Sequence, residues 1–359
     1  MHKRVSRVLS SLSLGFAMAT AGCPSSEPME TASTADNAIT QALRRYEEAD
    51  DCDGKKLRVA WLGTVPQNTF DGAELAGAQG SAARMRATVQ PFYSNFDPAL
   101  QLQQCNQAVQ SGQFDAVVVI PMDSTGIIPC VTNGKARNVP VVATQIAIGP
   151  DPTTVEPQVP GQAGAVLTPV SKFGSELAKL AVSLCGTASC NIVYLAGSLG
   201  ITIDARAIQD LNNAIATHPN MHLIAQREVF WDGGLAQAAM QDILSQTRDI
   251  QVVLTSGDQM TQGAEQALNA ANLPVRPKLV GAGVGGYAVD AIRAGRWAAS
   301  FVVLPYDEGW LGTKIAIRAA RGLPIRDPGI DPVEEKGLPA FMTTDNQSLF
   351  KKFTPQWPG

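Results

Sequence analysis

The chain has 359 residues, formal net charge −4, 45% hydrophobic and 17% charged residues, and six cysteines. At about 100–200 residues per domain this is two domains, each able to bury a core. Few charges and a mean hydropathy of zero exclude a disordered polyelectrolyte and a multi-span membrane protein, and the acidic balance argues that no nucleic acid is held through its phosphates.

Lys3, Arg4 and Arg7 precede an apolar or small run from Val8 to Ala21. At about 14 residues that run is too short to span a bilayer and suits a signal peptide, read here as residues 1–22. Its end, Thr20-Ala21-Gly22-Cys23, resembles a bacterial lipobox, with Thr20 where a branched aliphatic is usual and Cys23 as the lipidated residue. Ordinary cleavage nearby, with an incidental thiol at Cys23, is the alternative. Residues 23–55 are polar, small and proline-punctuated, the composition of a tether, with a short helix expected over Asn37–Glu48.

From Lys56 the rhythm is strand, helix, strand, helix. Strands are expected at Leu57–Leu62, Thr88–Tyr93, Ala116–Ile120 and Val139–Ala143, with helices near Gly72–Met85, from Asp97-Pro98 to Gln110, and near Ser124–Arg137. Asp before Pro is a helix-start signal, and fully apolar strands fit a central parallel sheet. A second unit has strands Ala163–Thr168, Asn191–Ala196, Leu223–Val229, Gln251–Thr255 and Lys278–Gly281. Its helices are Ser171–Cys185, Ala205–Thr217, Leu235–Ser245, Asp258–Ala271 and Gly286–Ala294. Strand Trp297–Val303, helix Asp307–Arg321 and strand Phe341–Thr344 complete the two sheets. The fold class is α/β, two doubly wound parallel-sheet lobes.

Two motifs imitate enzymes. Gly281–Gly286 matches GxGxxG between a strand and a helix, but Trp297–Val303 carries no acidic residue for a ribose, so a tight glycine turn lining a cleft is preferred. Ala196-Gly197-Ser198-Leu199-Gly200 imitates a nucleophile elbow, yet His218 and His222 fall behind the following helix, at the wrong end of the sheet. No phosphate loop and no His/Cys cluster exists, so no catalysis, no cofactor and no metal are expected.

Two linked α/β units in an exported chain point to capture of a small-molecule ligand between them. The strings Asn138-Val139-Pro140-Val141-Val142, Gly174-Ser175-Glu176-Leu177-Ala178, Gly257-Asp258-Gln259-Met260, Ala291-Ile292-Arg293-Ala294-Gly295, Leu304-Pro305 with Gly312, and Thr343-Thr344-Asp345-Asn346 occur in this order. Together they resemble a type I periplasmic binding protein of the ribose/galactose-binding class, over residues 57–350. The resemblance implies a three-crossing hinge near Leu167–Val170, Val303–Pro305 and Lys336–Pro339. It implies an N-terminal lobe of 56–168 plus 304–336, a C-terminal lobe of 169–303 plus 337–350, and a tail of 351–359.

The resemblance also implies ligand-binding positions, many of them altered. After the first strand stand Thr64, Gln67, Asn68 and Phe70, an amide and one ring. Gln145 and Ile146 replace an Asp-Arg pair; Arg206 is offset by one residue from the usual helix-leading Arg; and Trp231 replaces a stacking Phe. Gly257 before Asp258 replaces Asn, Gly283 replaces Asp, and Val303 replaces a polar residue. A charge-assisted hydrogen bond contributes about 1.5–3 kcal/mol, so the lost groups disfavour an ordinary pentose or hexose. Glycines at two of the places imply a larger pocket for a bulkier, less hydroxylated neutral solute.

Cys185 and Cys190 flank a short turn and are expected to pair. Cys105 and Cys130 lie at similar heights on consecutive helices, either bridged or as two core thiols, which leaves Cys52 odd. The expectation is a cell-envelope solute-binding lipoprotein and monomer, serving ABC permease subunits and touching the membrane only through its N-terminal lipid. A sensory lipoprotein reporting to a chemoreceptor or sensor kinase is the alternative.

Overall fold

The computed structural model describes residues 55–359. The leader, Cys23, the helix expected over 37–48 and Cys52 lie outside the described residues. In chain order the first elements are β1 (Leu57–Gly63), α1 (Thr69–Arg84), β2 (Ala87–Tyr93), α2 (Pro98–Gln110), β3 (Ala116–Val119), α3 (Ile128–Arg137), β4 (Val141–Thr144) and β5 (Gln162–Val166). There follow α4 (Val170–Cys185), β6 (Cys190–Ala196), α5 (Thr202–Thr217), β7 (Met221–Glu228), α6 (Gly233–Gln246), β8 (Val252–Thr255), α7 (Asp258–Ala271) and β9 (Lys278–Ala282). The remainder is α8 (Gly286–Arg293), β10 (Ala299–Phe301), α9 (Pro305–Ala320), β11 (Gly329–Ile330), α10 (Pro332–Glu335) and β12 (Phe341–Thr343).

Strands β3, β4 and β8 are buried at every position, as unbroken apolar runs require when helices cover both faces of a sheet. Two six-stranded sheets result, ordered β11-β5-β4-β3-β1-β2 and β12-β10-β9-β8-β6-β7. Their strands pair in parallel except β12, which runs antiparallel to β10. Trp61 and Val118 belong to the core on one face of the first sheet, and Leu62 and Val117 to the core on the other. The second sheet is likewise packed on both faces, around Met240 and Trp297 and around Phe173 and Tyr194.

Short acceptors start several helices. The Asp97 carboxylate takes the amides of Ala99 and Leu100 at 2.8 and 3.1 Å, and Asp232 takes Leu235 N at 2.7 Å, closing donors that the first turn leaves open. The helix expected from Ser124 begins only at Ile128. Asp123 instead folds a turn by accepting from Thr125 N and Gly126 N, each at 2.9 Å, and Pro129 occupies the first helical turn, its favoured place. The strand expected over Trp297–Val303 shrinks to three residues; ahead of it the Trp297 indole donates to Glu265 at 2.8 Å. Strand β11 and helix α10 carried too short a pattern to be read in advance.

The chain passes between the sheets three times: from β5 to α4, from β10 to α9, and from β11 through α10 to β12. Polar contacts tie these passages together. Asp331 accepts from Thr168 Oγ1 at 2.9 Å and Lys172 Nζ at 3.1 Å, while Lys336 pairs with Asp307. Cys105 of α2 faces Cys130 of α3 with Cα atoms 5.8 Å apart, and Cys185 faces Cys190 at 5.4 Å; both are bonding separations. Among the described residues no helix is long and apolar enough to cross a membrane.

Candidate functional site

In a doubly wound sheet the helices fill the faces, so only the carboxyl ends of the strands leave room for a ligand. Both sheets present those ends to one cleft. Thr64 follows β1, Phe96 follows β2, Ile120 and Met122 follow β3, and Gln145 and Ile146 follow β4. From the second sheet come Ile201 after β6, Trp231 after β7, Ser256 and Gly257 after β8, and Val303 after β10. The cleft encloses roughly 850 Å³ outside protein atoms, part of it open to solvent.

Rings form its walls. Phe96 stacks on Trp231 at 5.5 Å between centroids and 22° between planes, joining the two lobes across the cleft. The Trp231 indole donates to Ser256 O at 3.0 Å and lies over Gly197, where a Cβ would collide with it. Phe173 meets Phe301 edge-on at 5.0 Å. Phe96, Gln145 and Trp231 all hold left-handed backbone, with φ of 60°, 58° and 51°. Such conformations are costly for side-chain-bearing residues and concentrate at ligand sites.

The floor, on the first lobe, is acidic. Asp71 accepts from Thr64 N and Thr64 Oγ1 at 2.7 and 2.6 Å, and burial pushes its carboxyl up to about 6. Glu74 accepts from Thr144 Oγ1 at 2.6 Å, Trp61 Nε1 at 3.3 Å and the Gln145 amide; burial outweighs these bonds and raises it to about 7. Beside it stands Glu308, on the first turn of α9 and wholly buried, with no hydrogen-bond partner on either oxygen. Burial first, then the charges of Glu74, Asp331 and Asp307, raises it well above the usual carboxylate range. Glycines set this proximity: a Cβ on Gly309 would strike the Glu74 carbonyl and one on Gly77 the Tyr306 carbonyl, so α1 and α9 touch backbone to backbone. No Lys or Arg lines the cleft among the described residues, and no cluster of His, Cys, Asp and Glu there could hold a metal ion.

Of the residues singled out in the sequence, Thr64, Asn68, Phe70, Gln145, Ile146, Trp231, Gly257 and Val303 line this cleft. Asn68 spends its Oδ1 capping α1, accepting from Phe70 N at 2.9 Å. Four residues lie elsewhere. Gln67 is exposed on the turn before α1. Arg206 pairs along its own helix with Asp210, Nε to Oδ2 at 2.8 Å. Asp258 is buried behind the cleft, accepting from Gly285 N and Ser300 Oγ, each at 2.7 Å. Gly283 is covered by Trp357, whose indole donates to its carbonyl at 2.9 Å and fills the space a Cβ would take.

The expected enlargement of the pocket at Gly283 is therefore corrected: the tail fills that volume. Of the glycine turn Ala282 lines the cleft, while its far end faces the tail, Gly286 N and Tyr287 N donating to Trp357 O and Pro358 O, each at 2.9 Å. Ser198, in the elbow-like string, donates to Glu228 Oε1 at 2.6 Å, and His218 Nδ1 lies 2.8 Å from Ala214 O. Phe96, Gln259 and Glu308 line the cleft without having been singled out. A usable signal existed for Glu308, which shares one helical stripe with Gly312 and Ile315; a carboxylate on an otherwise small and apolar face is conspicuous.

Comparison with known proteins agrees with this geometry. Residues 59–324 match the periplasmic binding protein domain family, and the chain belongs to that family. A xylitol-binding protein of Mycolicibacterium smegmatis is 27% identical over 180 residues, 50% of this chain and 48% of that protein; the chain thus spans about half the length of the curated relative it matches. Among solved structures, an ABC transporter solute binding protein from Bacillus halodurans with bound myo-inositol superposes with a TM-score of 0.70 at 19% identity, covering 85% of this chain and 99% of that one. One from Mycobacterium smegmatis with bound glycerol gives 0.69 at 22% identity, covering 85% and 100%. The fold is that of the type I periplasmic binding proteins.

Proposed function

We propose that this protein captures a small neutral solute, a polyol or a less hydroxylated sugar relative, in the inter-lobe cleft and delivers it to an ABC importer. The observation that carries this is a cleft between two sets of strand termini, walled by rings, supplied with amides and hydroxyls and, among the described residues, lined by no cationic side chain. Binding proteins for xylitol, glycerol and myo-inositol among its relatives support the same class. Hinge closure would bring Trp231 and Phe96 over the bound solute.

Trp231→Ala is expected to weaken a true ligand by about tenfold or more, since stacking adds about 0.5–1.5 kcal/mol to area burial and 1.4 kcal/mol is a factor of ten. Calorimetric titration of wild type and variant with xylitol, glycerol, myo-inositol, ribose, glucose and galactose reads this. Equal binding of ribose or glucose by both proteins would place the ligand away from Trp231.

The family's periplasmic character and the basic, apolar leader support export, with a lipid on Cys23 as the membrane anchor, a monomeric body, and oxidised pairs Cys105–Cys130 and Cys185–Cys190 in the envelope. Non-reducing peptide mapping of protein taken from its native membrane is expected to show a diacylated Cys23 peptide and both cross-linked pairs. Free thiol at Cys185, or an unmodified Cys23 peptide, sinks the corresponding assignment. Loss of the Cys105–Cys130 bridge, across a separation of 25 residues, would cost about 2–4 kcal/mol.

A further inference from the structure

Glu308 has no structural employment. Its side chain is fully buried, lines the cleft, and leaves both oxygens without a partner, whereas the neighbouring Asp71 and Glu74 are each bound by several donors. A buried polar group left open in the free protein is costly unless something arrives to fill it. On the opposite lobe Gln259 Oε1 is likewise buried, unpartnered and at the cleft wall. The two open acceptors call for a ligand that brings donors from both sides.

The charge on Glu308 decides which donors. The groups facing it are acidic: Glu74 from α1, Asp331 from the turn before α10, and Asp307 from its own helix. Two of those acids hold cations of their own, Asp331 with Lys172 and Asp307 with Lys336. An ionised Glu308 would be an unpaired buried charge among like charges, so the carboxyl sits in its neutral form, able to donate one hydrogen bond and accept another.

We propose that Glu308 is a ligand-contacting, specificity-determining residue that takes adjacent hydroxyls of a neutral solute through a protonated carboxyl, so that capture depends on pH. This rests on the polyol reading of the cleft and adds to it the contact that selects the ligand. A neutral carboxyl matches a vicinal diol, giving and receiving one bond each; an ammonium ion would instead require it to ionise. The raised pKa of Glu308 agrees with the neutral form but is not needed to place the contact.

Titration with xylitol and, as its cationic counterpart, N-methylglucamine tests this with wild type, Glu308→Gln and Glu308→Leu between about pH 6 and about pH 9. Wild type is expected to lose xylitol affinity by about tenfold or more over that range as the carboxyl ionises. Glu308→Gln, which can still donate and accept, is expected to bind within about threefold of wild type at pH 6 and to lose that pH dependence. Glu308→Leu is expected to lose xylitol by about tenfold or more while melting higher than wild type, a combination that a merely structural residue would not give. Xylitol binding by Glu308→Leu within about twofold of wild type overturns the proposal alone. Tighter binding of N-methylglucamine than of xylitol by wild type, strengthening with pH, overturns the neutral form. Failure of wild type to bind xylitol, glycerol or myo-inositol overturns the polyol reading, and the proposal falls with it.

Discussion

Trp357→Ala is expected to destabilise the protein by about 3–5 kcal/mol, the range for removing a large buried aromatic. Trp357 is 4% exposed although it stands two residues before the last one. Its indole fills the hollow left by Gly283, whose φ of +126° no other residue adopts readily, and donates to the Gly283 carbonyl at 2.9 Å. Its own carbonyl accepts from Gly286 N at 2.9 Å, so the terminal segment caps the start of α8. Removing the ring would open a cavity at the carboxyl end of β9 and leave the Gly283 carbonyl unmatched.

The same substitution should reach the ligand. Phe70 lines the cleft and rests edge-on against Trp357 at 5.2 Å. Gln356 Nε2 donates to Asp307 Oδ2 at 2.7 Å, tying the segment to the helix that carries Glu308. Urea unfolding of Trp357→Ala and Trp357→Phe, with xylitol titration of each, separates the two effects. Phe keeps a six-membered ring but loses the N–H and the pyrrole part of the indole, so it should cost about 1–3 kcal/mol, less than Ala. A loss below about 1 kcal/mol for the Ala variant would show the segment to be a passive covering.

How far the chain could be read before its structure was in hand depends on the range of the interactions concerned. Asp97-Pro98 announces α2 because the cap and the fixed φ of Pro act within one turn. The apolar runs Ala116–Val119 and Val252–Thr255 announce central strands because burial on both faces leaves no room for polar residues. Gln145 and Trp231 are placed through the family resemblance, and the structure shows why it holds: position along a strand sets which end of the sheet a residue reaches. Phe96 could not be placed in this way, since its reach into the cleft depends on a left-handed backbone after β2 and on a ring from the other lobe. Gly283 shows the limit most clearly. A glycine in place of a polar residue reads locally as added space, but a tryptophan 74 residues further on fills it.

Stability is expected to fall as pH rises from about 4.5 to about 7, the reverse of the usual acid limb. Burial raises five carboxyls in the folded protein: Asp71 and Asp204 to about 6 from 3.8, Glu74 to about 7 from 4.5, Asp258 to about 7 from 3.8, and Glu308 well above the usual carboxylate range. A carboxyl with a raised folded value holds its proton more tightly folded than unfolded. Its contribution is complete below the unfolded value and is lost as pH climbs through the folded one, because the unfolded chain then binds fewer protons. Each such group contributes at most about 1.4 kcal/mol per pH unit within its window. Asp123 works against the trend: the amide of Gly126 leads the bonds that lower it, so its share is lost toward acid, below the ordinary aspartate range. Glu74→Gln isolates one term. The amide cannot ionise, still offers an oxygen to Thr144 and Trp61, and meets Gln145 by a flip of that side chain's amide. Urea unfolding at about pH 5, 6 and 7 should show the variant losing up to about 1.4 kcal/mol per pH unit less than wild type. Parallel curves for the two proteins would mean that Glu74 is already ionised in the fold at pH 5, with its three donors outweighing the burial that opposes its charge.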